Sequence, residues 1–204
     1  KRQPYSNAIP RLLSGLSCPR KALIGPWAHE YPQRALPGPQ IGFAQECLRW
    51  WDYWLKGNEN GIMKEPALRA WMPESVAPNT HHEFRPGRWV AEAMWPPKNQ
   101  EFQALYLNRS GLNQTVDELP MLCPTSQVVG LNAGVWFPMG TEGEFPGDQR
   151  SADSRSLCFT SEAIDDGIEI LGNPEVTVTL SAEQPKALLA ARLCDVAQDG
   201  SSLL

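Results

Sequence analysis

The chain has 204 residues, room for one large domain or two small ones, and its 42% hydrophobic and 20% charged residues suit an ordinary globular protein. A formal charge of -5 argues against a general nucleic-acid surface, which needs clustered Lys and Arg. No apolar run approaches the roughly 18 residues of a membrane-crossing helix, and Lys1-Arg2-Gln3-Pro4 leads into no signal-peptide core.

The first third reads as α/β. Ser6 is placed to cap a short helix with Pro10 in its early turns, carrying Ile9, Leu12, Leu13 and Leu16 inward. Gly15 and the Cys18-Pro19 step end it. Lys21-Ala22-Leu23-Ile24-Gly25 is a short apolar run stopped by Gly25-Pro26, as in a buried strand of a parallel sheet. A Pro-rich loop follows over residues 26–39. The clearest helix runs from about Phe43 to Lys56, with Ala44, Cys47, Leu48, Trp51 and Leu55 at helical spacing and Glu46, Arg49, Asp52 and Lys56 towards the other side. Gly57 is a natural end for it. Helix, strand, loop and helix in this order form the tail of a layered α/β domain.

After about Glu65 the texture changes to short strands between turns. Strands are expected at residues 67–72, 87–90, 103–107 and 156–160, and at 175–181, where apolar and polar residues alternate. Residues 187–196 read as a further strand, followed by an Asp199-Gly200 hairpin turn. Such a series points to a sandwich or jelly roll. Residues 112–153 read as a long surface excursion with little regular structure. The chain ends at Leu204, which reads as a hairpin cut before its second strand, so an incomplete polypeptide is expected.

Five cysteines, at 18, 47, 123, 158 and 194, are an odd set without a C-x-x-C pair. They favour free thiols in a reducing, cytoplasmic compartment over disulfides or a zinc site. The sequons Asn108-Arg109-Ser110 and Asn113-Gln114-Thr115 would matter only in a secreted eukaryotic protein.

Three histidines are present. His29 follows the expected buried strand by a few residues, where α/β enzymes place chemistry. Its imidazole could take a proton from a serine and return it to a leaving group. Spacing alone favours an exposed loop histidine. His81 and His82 are neighbours in a polar stretch and read as surface loop rather than metal ligands. The nucleophile elbow G-x-S-x-G is absent, as are a P-loop, G-x-G-x-x-G and H-E-x-x-H. The sequence therefore holds at most one member of a Ser-His-Asp triad.

At Gly25-Pro26-Trp27-Ala28-His29 the chain resembles the cocaine esterase and X-Pro dipeptidyl-peptidase family of α/β-hydrolases. Residues 5–13 resemble that family's helix before the histidine strand. Arg49-Trp50-Trp51-Asp52-Tyr53-Trp54-Leu55-Lys56-Gly57 resembles its R-W-x-D-x-W-L-K-G helix. Pro146-Gly147-Asp148-Gln149-Arg150 and Leu193-Cys194-Asp195-Val196 with Asp199-Gly200-Ser201 resemble its C-terminal jelly-roll domain.

The resemblance implies the C-terminal portion of an α/β-hydrolase over residues 1–65, with a catalytic-histidine loop, and an all-β jelly-roll sandwich over 66–204. It implies ester or amide cleavage through an acyl-enzyme, His29 as catalytic base, and no cofactor or metal. Gln3 stands two residues before Tyr5, where the family carries its triad aspartate, and a neutral amide cannot stabilise an imidazolium as a carboxylate does. This chain alone is therefore expected to be inactive.

The competing reading is a non-catalytic remnant whose jelly roll binds carbohydrate, peptide or another subunit, with Trp89, Trp95, Trp136 and Phe137 as groove candidates, although core packing is the favoured role for each. In either case a small ester, amide or peptide substrate belongs to the longer family protein, not nucleic acid or membrane. An uncovered sheet edge and the Trp-rich helix predict association with a second copy or with an upstream domain.

Overall fold

The computed structural model describes residues 7–117, 120–123 and 126–204. Helix α1 spans Ala8–Gly15. Ser6, the expected cap, lies outside the described residues, as do Gln3 and Tyr5, and Asn7 at the N-cap makes no side-chain capping bond. Ile9 and Leu13 lie one turn apart and pack on the core. Leu12 and Leu16, 53% and 42% exposed, do not turn inward as expected. Each residue rotates about 100° around the axis, so the line through Leu12 and Leu16 is carried off the packed face.

Strand β1, Ala22–Ile24, runs parallel to β2, Leu68–Pro73, which pairs antiparallel with β3, Gly87–Glu92. The expected parallel pairing of the first strand is therefore present, but Ala22, Leu23 and Ile24 are half-buried rather than buried. Leu13, Leu68 and Ala70 form the buried core, with Ala22, Ile24, Val90, Trp95 and Leu171 packed against it. The alternation of β2 puts Leu68 and Ala70 on this face and Arg69 on the opposite one.

The connection from β1 to β2 carries helix α2, Phe43–Lys56. Gly57 ends it in the left-handed conformation with φ of 69°, as its position suggests. A charge network ties α2 to the sheet. Arg69 donates to Glu46 at 2.7 Å, Arg49 pairs with Glu65, and Lys21 donates to the Glu65 carbonyl. With the polar side engaged, the apolar stripe faces out: Leu48, Trp51 and Leu55 are 56%, 52% and 75% exposed. An aromatic cluster covers the sheet's end, where Trp71 and Trp89, directly opposite in register, meet edge-on at 5.4 Å.

The rest of the chain holds less regular structure than the strand series predicts. Strands β4, Tyr106–Asn108, and β5, Gly111–Asn113, form a small hairpin. Buried Asn108 closes its turn by donating to Asn113 Oδ1 and the Thr115 carbonyl, so the first sequon is used internally. Residues 156–160, 175–181 and 187–194 form no ladder. Alternation specifies the face of a strand but not its partner, and Val176, Val178 and Leu180 stay exposed.

The terminal hairpin corrects another expectation. Its second strand is inside the chain: β6, Asp195–Val196, pairs with β7, Ser202–Leu203. It docks on the four-residue helix α3, Arg150–Asp153, through the fully buried Gln149. The Gln149 backbone N–H donates to Ser202, its amide donates to the Asn132 and Gly147 carbonyls, and its Oε1 accepts from Arg192. The two separated motifs around residues 146–150 and 193–201 thus meet at one polar junction.

Candidate functional site

His29 sits five residues beyond the end of β1, in the loop that the sequence places there. Trp27 anchors this loop by donating its indole N–H to the Pro39 carbonyl at 2.8 Å and packing against Trp89 at 6.3 Å. Gly25 permits that anchor, since a Cβ there would lie 2.4 Å from the Trp27 ring. Ala28 is buried and donates its N–H to the Leu36 carbonyl at 2.8 Å, so the loop folds back on itself. Beyond His29, Glu30 accepts from the Tyr31 N–H and from Arg34, and these bonds hold its carboxyl below the usual range.

A second loop, far away in sequence, holds His29. The His29 N–H donates to the Pro138 carbonyl at 2.7 Å, and its ring lies 3.8 Å from that of Phe137, tilted by 53°. Phe137 therefore packs on the histidine rather than lining a groove. The turn after Phe137 closes on one carboxylate oxygen, Glu144 Oε2, which accepts the N–H groups of Met139, Gly140 and Thr141 at 2.7–2.8 Å. Burial alone would raise the Glu144 pKa; the bonds from Thr141, Met139 and Gly140 outweigh it and lower it. Gly140 has φ of 98° and presses against Leu36 and Ala28, where a Cβ would approach Leu36 to 3.2 Å.

Beside this junction lies a cavity of about 200 Å³, walled by Pro26, Trp27, Pro138 and Phe145, with His82 and Arg85 at its polar side. Burial, with Arg85 nearby, pushes the His82 imidazole down. His82 thus packs into the fold, with Phe145 6.1 Å away, rather than lying on an open surface loop. Of the other aromatic candidates, Trp95 packs against the core, Trp89 joins the aromatic cluster, and Trp136 stands 71% exposed. Among the described residues, no group of three or more His, Cys, Asp or Glu could hold a metal ion, and no helix is long and apolar enough to cross a membrane.

Residues 60–204 match the family of the X-Pro dipeptidyl-peptidase C-terminal non-catalytic domain. The chain belongs to that family. The domain so defined contains Phe137, Pro138 and Glu144, while His29 lies upstream of it. Along 94% of its length the chain is 25% identical to the protein of Mycobacterium bovis named "Putative serine esterase Mb1866c". It is equally similar, over the same share, to "Putative serine esterase MT1883" of Mycobacterium tuberculosis. It spans 31% of the length of these relatives. No solved structure matches it.

Sequence reasoning picked His29 but missed Pro138 and Glu144, which the non-catalytic domain brings to it. No spacing links residue 29 to residue 144; the repeated Gly and Glu of Gly140-Thr141-Glu142-Gly143-Glu144 signals a turn without saying what it supports.

Proposed function

We propose that the chain is the C-terminal part of a serine hydrolase that cleaves ester or amide bonds, X-Pro dipeptidyl bonds among them, through an acyl-enzyme. The observation that carries this reading is His29, just beyond a parallel strand and gripped by backbone and ring contacts from the non-catalytic domain. In this reading the imidazole accepts the proton of a serine hydroxyl as the oxygen attacks the substrate carbonyl. It then delivers that proton to the departing alcohol or amine. The serine, in this reading, belongs to the part of the longer protein outside this chain, which spans 31% of its relatives' length. Residues 66–204 take the jelly-roll form in that longer protein, where the alternating segment at 175–181 finds a partner strand. An odd set of five cysteines without a C-x-x-C pair supports a reducing, cytoplasmic compartment for it.

A fluorophosphonate probe applied to an extract of the native source, followed by capture with an antibody to this chain, tests the reading. A labelled product of about three times the chain's mass is expected, from the 31% share of the relatives. An unlabelled product at 22.7 kDa would replace it with the second reading, a non-catalytic binding module, to which the exposed Trp136 would contribute.

A further inference from the structure

We infer that Glu144 is a positioning residue for His29: its carboxylate fixes the turn through which Phe137 and Pro138 hold the imidazole. The inference rests on the reading of His29 as the general base.

A histidine on a loop has two side-chain torsions and a backbone that must be held before it can transfer a proton along a defined line. Here the backbone is held by the Pro138 carbonyl and the ring by Phe137. Neither Phe137 nor Pro138 belongs to a helix or strand, so their own positions must come from elsewhere. Three consecutive N–H groups, from Met139, Gly140 and Thr141, converge on Glu144 Oε2 immediately after Pro138. Bonds to an ionised acceptor are about twice as strong as neutral ones, and three on one oxygen define the turn closely. The other end of the turn is tied as well: the Val135 N–H donates to the Glu144 carbonyl at 2.9 Å, and the Phe145 N–H donates to Thr80. The turn is seated against the histidine loop itself, because Gly140 lies on Ala28 and Leu36. Removing the carboxylate leaves three N–H groups without their acceptor and frees the segment that grips His29.

The experiment is proton NMR of the His29 ring in this chain at fixed pH, with Glu144→Ala, Glu144→Gln and Phe137→Leu variants. Carbethoxylation of His29 by diethyl pyrocarbonate is followed in parallel by mass spectrometry. An aromatic ring 3.8 Å away shifts the histidine ring protons, so their frequencies report the Phe137 contact directly. Glu144→Ala is expected to move the His29 signals towards those of Phe137→Leu and to speed carbethoxylation about fivefold, on the scale of an interaction of roughly 1 kcal/mol. Glu144→Gln, which keeps one oxygen acceptor, is expected to fall between. A folded Glu144→Ala chain whose His29 signals stay at the wild-type frequencies overturns the inference. So does general unfolding by the near-isosteric Glu144→Gln, which would make Glu144 a residue of the whole fold. In the intact hydrolase, Glu144→Ala is expected to lower kcat about tenfold with little change in KM, as a misplaced base does. Undiminished hydrolysis by His29→Ala would remove the catalytic reading, while the NMR result would still decide whether Glu144 holds His29.

Discussion

Gln149 shows how one buried polar side chain can join distant segments. It is fully enclosed, and it satisfies the Asn132 and Gly147 carbonyls and the Arg192 guanidinium together. Arg192 also pairs with Asp153 at 2.8 Å, so part of its charge remains compensated without Gln149. Gln149→Ala leaves the Gly147 carbonyl and one guanidinium N–H without that partner, while the Asn132 carbonyl keeps the Gly147 N–H, and it is expected to cost about 2–4 kcal/mol. Urea unfolding followed by tryptophan fluorescence checks the value, and a loss below about 0.5 kcal/mol would show that water replaces the amide.

At the scale of elements, α2 is turned by its charges. Arg49 and Glu46 meet Glu65 and Arg69 of the neighbouring segment, and the tryptophan-bearing stripe is left outward. An exposed apolar stripe of this kind drives association. Replacing both Leu48 and Leu55 with Glu removes apolar surface from solvent contact without touching the core. The doubly substituted chain is expected to unfold within about 0.5 kcal/mol of the parent and to scatter light as a monomer at concentrations where the parent self-associates. A parent that is monodisperse and monomeric would contradict the association. The strands at β1, β2 and β3 find partners because their residues meet in one sheet, while the alternating segment at 175–181 does not.

For the whole molecule, the histidine lies upstream of the matched domain and its support inside that domain, and a nucleophile motif is missing from the sequence. Hydrolysis of p-nitrophenyl acetate by this chain alone is expected to match buffer. Turnover that disappears in His29→Ala would reveal a nucleophile among residues given no such role here.

The sequence by itself determined the local features. The spacing of apolar residues in α2, the apolar run of β1 stopped by Gly25-Pro26, the strand at β2 and the Asp199-Gly200 turn are properties of adjacent residues, and each stands where it was expected. The position of His29 just past a strand was legible for the same reason, while the catalytic role proposed for it came from the family resemblance and not from spacing. Only the tertiary structure decided which face of α1 and α2 turns inward, which alternating segments gain partners, and which loop holds the histidine. Those outcomes depend on contacts between residues distant in sequence, as Glu46 and Arg69 are for α2 and, more than a hundred positions apart, His29 and Phe137 are for the histidine loop. Local periodicity carries no record of them, because a side chain's pattern fixes its direction on its own element but not what comes to meet it.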